Sequence, residues 1–135
     1  SFSDALYGTL RSNPAVLSYC AGWQDEVPAA VTVCGFVWAV QCVHHAPACD
    51  RTTHGLTSWQ EQSIYLREDL PIDTMRSTLL HELCHAVATI ANRPLNDDES
   101  AIRVIHYTLY DFFCYNAEAV RWLFGVEEAN ERGAK

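Results

Sequence analysis

Positive charge is scarce in this chain. Nine Lys and Arg stand against 17 Asp and Glu, a formal net charge of −8 over 135 residues. Such a surface is repelled by a phosphate backbone unless its few cations gather on one face. The sequence shows no such cluster, so neither nucleic acid nor an anionic membrane is the expected partner. Long apolar runs are missing as well. A membrane span needs roughly 18–20 apolar residues. The longest candidate, residues 27–43, is broken by Pro28, Thr32, Gly35 and Gln41. No internal repeat or low-complexity segment is present. Disordered chains are poor in apolar and aromatic residues, and a hydrophobic content of 49% excludes disorder for the chain as a whole.

What is there is one domain's worth of chain, 1–135, long enough to bury a core without obligatory staples. Six cysteines occur, at 20, 34, 42, 49, 84 and 114. An even count suits three disulfides in a secreted protein, but Cys84 and Cys114 fall inside helical patterns. Reduced thiols in a cytoplasm are the expectation, with secretion as the alternative. The chain starts at Ser1 without Met, which reads as a removed or replaced leader or tag.

Residues 1–26 read as one or two short helices, with Asp4 as a possible cap and Asn13-Pro14 opening the second. Residues 30–43 are β-branched and aromatic and read as two strands turning near Cys34-Gly35. Residues 44–53 form a loop, and 54–57 and 62–66 are two further strands. A helix runs from about 73 to 91 and stops before Pro94. Helices over 97–129 follow, the last capped by Asn116. The class is α+β, with a small antiparallel sheet over 30–66 packed on a helix.

That helix carries His81-Glu82-Leu83-Cys84-His85. Two imidazoles at i and i+4 share one face and suit one tetrahedral zinc, with the Glu beside them as base for an attacking water. A shuffled chain of this composition shows the pattern in roughly 2% of cases. Position strengthens it. Met75, Leu79, Leu80, Leu83, Ala86, Val87 and Ile90 fill an arc of roughly 140°, with His81, Glu82, His85 and Thr89 opposite. A core histidine would sit in the aliphatic arc, and a plain solvated face would carry Lys or Arg.

Zinc sites of this kind need a third protein ligand. Asp97, Asp98, Glu99 and His106 are candidates, and Glu99 is preferred. Glu reaches farther than Asp across ordinary helix spacing. Glu99 also shares a stripe with Arg103, His106 and Tyr110, so His106, Tyr110 or Arg103 would steady an oxyanion. The competing reading is structural: Asn96 and Glu99 form a capping box. A weaker group, Cys42, His44, His45, Cys49 and His54, matches no compact zinc knuckle; the plainer reading is a Cys42–Cys49 disulfide. Cys84 reads as a packing residue, Trp38 as strand core, and Trp122 as part of the aliphatic face of the last helix. Glu127, Glu128 and Lys135 read as a solvated tail.

Tyr65-Leu66, the run over 77–87, Asp98-Glu99 opening a helix, the segment 110–116 and Val120-Arg121-Trp122 together resemble small phage-encoded metallopeptidase-like proteins. These are minimal gluzincins in the zincin class, related more distantly to the ImmA/IrrE-type peptidases of mobile elements. The resemblance covers about 31–124. It implies a zincin-like, three-stranded sheet on an active-site helix. It also implies one zinc held by His81, His85 and a later acidic residue, with Glu82 as general base. The implied setting is a bacterial host cytoplasm. The cysteines and the N-terminal helices depart from the family pattern.

Two functions are in play. One is a zinc-dependent peptidase acting on a peptide or protein, favoured by the intact Glu82. The other is a zinc-stabilised module that binds and blocks a host protein, favoured by the small room that 135 residues leave for a cleft.

Overall fold

In the computed structural model, which describes residues 1–44 and 54–126, the N-terminal segment forms α1 (Phe2–Ser12) and α2 (Pro14–Cys20). Pro14 stands in the first turn of α2, where its missing N–H costs nothing. The cap of α1 is Ser1, not Asp4. Ser1 Oγ accepts from the Asp4 amide at 3.3 Å, and the Asp4 charge faces the positive end of the helix dipole. Asn13 joins this corner to strand β1 (Ala30–Val33). Its Nδ2 donates to Thr32 O at 2.7 Å and its Oδ1 accepts from Thr32 N at 2.9 Å.

β1 returns as β2 (Phe36–Val43) through a two-residue turn at Cys34 and Gly35. Both have positive φ, 49° and 88°, the turn whose twist matches paired strands. A second hairpin joins β3 (Gly55–Ser58) to β4 (Ser63–Arg67). The strand order is β1-β2-β4-β3, and β2 runs parallel to β4 with Val40 opposite Ile64. The sheet is therefore mixed, which corrects the antiparallel expectation. A chain turning straight back after β2 would have laid β3 beside it; here β3 lies beyond β4, as an edge strand.

α3 (Ile72–Ala91) is the centre of the molecule and touches α1, α2, β3, β4 and two helices that follow it, α4 (Arg93–Asn96) and α5 (Glu99–Tyr115). Leu79, Leu80, Leu83, Ala86 and Val87 are fully buried in one cluster with Trp38, Ile64, Leu66, Leu17 and Ile102. Each large side chain so buried contributes roughly 1.5–3 kcal/mol. Arg76, also buried, clamps the N-terminal helices to α3: its Nε donates to Tyr19 O at 2.9 Å and its Nη2 to Gln24 O at 2.8 Å. α6 (Ala117–Phe124) closes the described fold. Its buried residues are Val120 and Phe124. Trp122 lies about 200° around the helix from each of them and is 82% exposed, contrary to its expected place on the aliphatic face. Asn116 makes no side-chain cap; its Nδ2 donates instead to Phe112 O at 3.3 Å.

Cys20, Cys34, Cys42, Cys84 and Cys114 are free thiols. Burial pushes Cys20 and Cys84 up to about 12, so both are neutral packing groups. Cys49, His45 and the tail residues Glu127, Glu128 and Lys135 lie outside the described residues, as do most of the 44–53 loop and any helix beyond 126. No helix among the described residues is long and apolar enough to cross a membrane.

Candidate metal centre

α3 ends at Asn92, whose Oδ1 accepts from Leu95 N at 3.2 Å and starts the single turn of α4. α5 then starts at Asp98, whose Oδ1 caps Ala101 N at 3.1 Å. The cap is thus Asp98, not Asn96, and Glu99 is released from capping duty. α5 runs back along α3 with Glu99 beside His81 and His85, and His106 beside His81.

Glu99 spans both histidines. His81 Nε2 lies 2.8 Å from Glu99 Oε1, and His85 Nε2 lies 3.0 Å from Glu99 Oε2. Among the described residues, these three form a group whose ligand atoms all lie within 4.8 Å of one another. The second nitrogen of each ring is already engaged. His85 Nδ1 lies 2.9 Å from Asn96 Oδ1, an acceptor, so Nδ1 carries the hydrogen and Nε2 presents a lone pair. His81 Nδ1 lies 2.8 Å from His106 Nδ1. Burial and the neighbouring His81 lower His106 to about 4, which leaves it neutral, and one of the two Nδ1 atoms donates to the other. One nitrogen of each imidazole and the Glu99 carboxylate thus converge, a group that could hold a metal ion. Ligand distances of roughly 2.0–2.2 Å suit the set. The donors are borderline and hard, as zinc prefers, although other divalent ions accept them too.

Glu82 lies beside this group, with Oε2 3.9 Å from His81 Nε2. It is not on an open arc. Edge strand β3 covers it, and Thr57 Oγ1 sits 2.9 Å from both Glu82 Oε1 and the Glu82 carbonyl. Burial pushes the Glu82 carboxyl up to about 7, against the lowering pull of His85 and Thr57. Gly55 makes this cover possible. A Cβ there would meet Thr78 Cγ2 and Tyr65 O at 2.9 Å and Glu82 Cγ at 3.1 Å.

The centre sits in a cleft of about 1180 Å³ between β3 and α5, floored by α3. That room corrects the expectation of little space for a substrate. His106 is 5% exposed and lies behind His81, not over the centre. It stands four residues from buried Ile102, so it faces α3 instead of joining the solvent stripe. Tyr110 lines the cleft; burial and Cys114 raise its hydroxyl further above the ordinary phenol value, so it stays a donor. The second metal group gains no support among the described residues: Cys42 is exposed, and His44 Nδ1 faces Glu68 at 3.7 Å.

Asn96, Thr57 and the orienting role of His106 escaped the sequence. Asn and Thr at these positions read as cap and strand residues. Gly55 carried a signal, since glycine inside a strand pattern marks close approach of another element. Neither a family model, nor a curated protein, nor a solved structure matches this chain.

Proposed function

We propose that this chain is a zinc-dependent peptidase of zincin type, acting on a peptide or protein. The observation that carries the reading is the placement of a buried, hydroxyl-anchored carboxylate, Glu82, next to the convergent His81–His85–Glu99 group. A structural metal site has no use for such a base. His81, His85 and Glu99 would hold the ion, which would supply Lewis acidity toward water and toward a peptide carbonyl.

The chain's own residues do the rest. Glu82 Oε2 takes a proton from the attacking water and hands it to the departing amine. Thr57 fixes the other carboxylate oxygen, so the proton-accepting one keeps its aim. Asn96 and His106 hold the two ligand rings in orientation. Tyr110 donates to the developing oxyanion. The family resemblance favours a protein of phage or prophage origin acting in the cytoplasm of a bacterial host. A zinc-stabilised module that binds and blocks a host protein is the second reading, and a buried general base is what it leaves unexplained.

The test is a mixture-based library of internally quenched peptides, incubated with the zinc-loaded parent and with Glu82→Gln. Cleavage by the parent and a loss of at least about 100-fold in the variant, with equal zinc content, is expected. Equal rates in both overturn the mechanism. Zinc binding without cleavage by either protein favours the binding module.

A further inference from the structure

One end of the cleft presents a rigid aromatic surface. β3 advances along α3 in the same direction: Gly55 lies against Thr78 and Glu82, and Thr57 Oγ1 meets the Glu82 carbonyl. Trp59 follows β3 directly, two residues after Thr57, and so shares with it the face toward α3. Its ring is 5.7 Å from that of Trp38, which is fully buried in the core. Trp59 therefore stands past Glu82, on the side of His85 and Thr89, and lines the cleft with them. His106 and Tyr110 lie toward the other end, His106 against His81 and Tyr110 near Asp73 and Arg76.

Roofing Trp38 uses only part of the Trp59 indole, since 40% of Trp59 stays exposed. Phe36, edge-on to Trp59 at 5.9 Å, widens the apolar surface and is itself 45% exposed. The tight Cys34-Gly35 turn just before it fixes where Phe36 enters β2. The rings of Trp38 and Phe36 hold the indole from two sides. Little side-chain freedom is then lost when another apolar group settles on it. Among the described residues that line the cleft, Tyr107 is the other large exposed hydrophobic, and its ring sits 4.1 Å from that of His106, on the His81 side.

We infer that Trp59, backed by Trp38 and Phe36, receives a large apolar side chain of the substrate and so sets specificity near the bond that is cut. This rests on the metallopeptidase reading above. Two residues of chain separate Trp59 from Thr57, roughly 6–7 Å, and Thr57 holds Glu82 at the reacting centre. An extended peptide advances by a similar step per residue. The side chain that meets Trp59 therefore lies one or two residues from the scissile bond. A tryptophan face supplies the large, flat apolar contact that dominates binding in desolvated sites.

The test uses two pairs of hydroxamates. Acetyl-Phe-Phe-hydroxamate and acetyl-Ser-Ser-hydroxamate carry the metal-binding head at the C-terminus. N-hydroxysuccinamoyl-Phe-Phe-amide and its Ser-Ser counterpart carry it at the N-terminus. Binding to the zinc-loaded protein is measured by titration calorimetry. In at least one pair the Phe probe should bind about tenfold or more tighter than the Ser probe, and the pair that does so identifies the side of the scissile bond. Trp59→Ala should erase most of that ratio, at unchanged zinc content. Trp59→Phe, which keeps a ring over Trp38, should retain part of it and melt with the parent. Tyr107→Ala should leave the ratio in place. Equal affinity within both pairs, or a ratio untouched by both Trp59 variants, overturns the inference and leaves the metallopeptidase reading standing. A ratio lost in Tyr107→Ala and kept in Trp59→Ala does the same. No binding by any probe to the zinc-loaded protein overturns both.

Discussion

The side-chain oxygen of Asn96 accepts one hydrogen bond from His85, and that bond decides which ring nitrogen faces the ligand cluster. Partners of this kind are worth roughly 10–100-fold in metal affinity. Asn96→Ala should weaken zinc binding by about that factor without unfolding the protein, since Asp98 and not Asn96 caps α5. Competition with a chromogenic chelator reads this; unchanged affinity would remove Asn96 from the site. Glu82 and the buried histidines also give the metal-free protein a pH signature. The folded Glu82 carboxyl holds its proton up to about 7 instead of the ordinary 4.5, so this group costs stability as pH rises across that window. Burial lowers His106 to about 4 and His81 in the same direction, so folding favours the neutral form of both. They cost stability as pH falls below 6.5. The two trends oppose each other. Glu82→Gln removes the first alone, so the metal-free variant should gain roughly 5 °C in melting temperature between pH 4.5 and 6.5, while the parent changes less. Parallel curves would contradict a buried Glu82 carboxyl.

At the scale of elements, strand β3 and helix α3 are fitted together around Gly55. Gly55→Ala forces a Cβ to within 2.9 Å of both Thr78 Cγ2 and Tyr65 O, and Tyr65 O belongs to the paired backbone of β4 and cannot move cheaply. The cost should be about 1–3 kcal/mol, seen as a lowered denaturation midpoint. Zinc affinity should survive, because the proposed ligands come from α3 and α5. A variant as stable as the parent would mean that β3 does not lie on Glu82. The sequence made much of this level legible. The apolar period of residues 75–90 located α3, and positive-φ turn chemistry located the β1–β2 hairpin. The parallel pairing of β2 with β4 was not legible, since local patterns record which residues form strands and not which strands become neighbours. His106 was misplaced for a related reason. A helical wheel shows a polar stripe, but only tertiary packing shows that α3 covers it.

The whole molecule is tied through its centre. His81 and His85 come from α3 and Glu99 from α5, so an ion held by all three would link two helices that otherwise meet by side-chain packing. Binding to the folded state alone stabilises it by about 4 kcal/mol when free metal exceeds the dissociation constant 1,000-fold. The most direct measurement is an anomalous difference map, recorded at the zinc edge from crystals of the zinc-loaded protein. The account predicts one strong peak per chain, roughly 2.0–2.2 Å from His81 Nε2, His85 Nε2 and a carboxylate oxygen of Glu99. A map with no peak between these residues, or with its peak at another group of side chains, would contradict it.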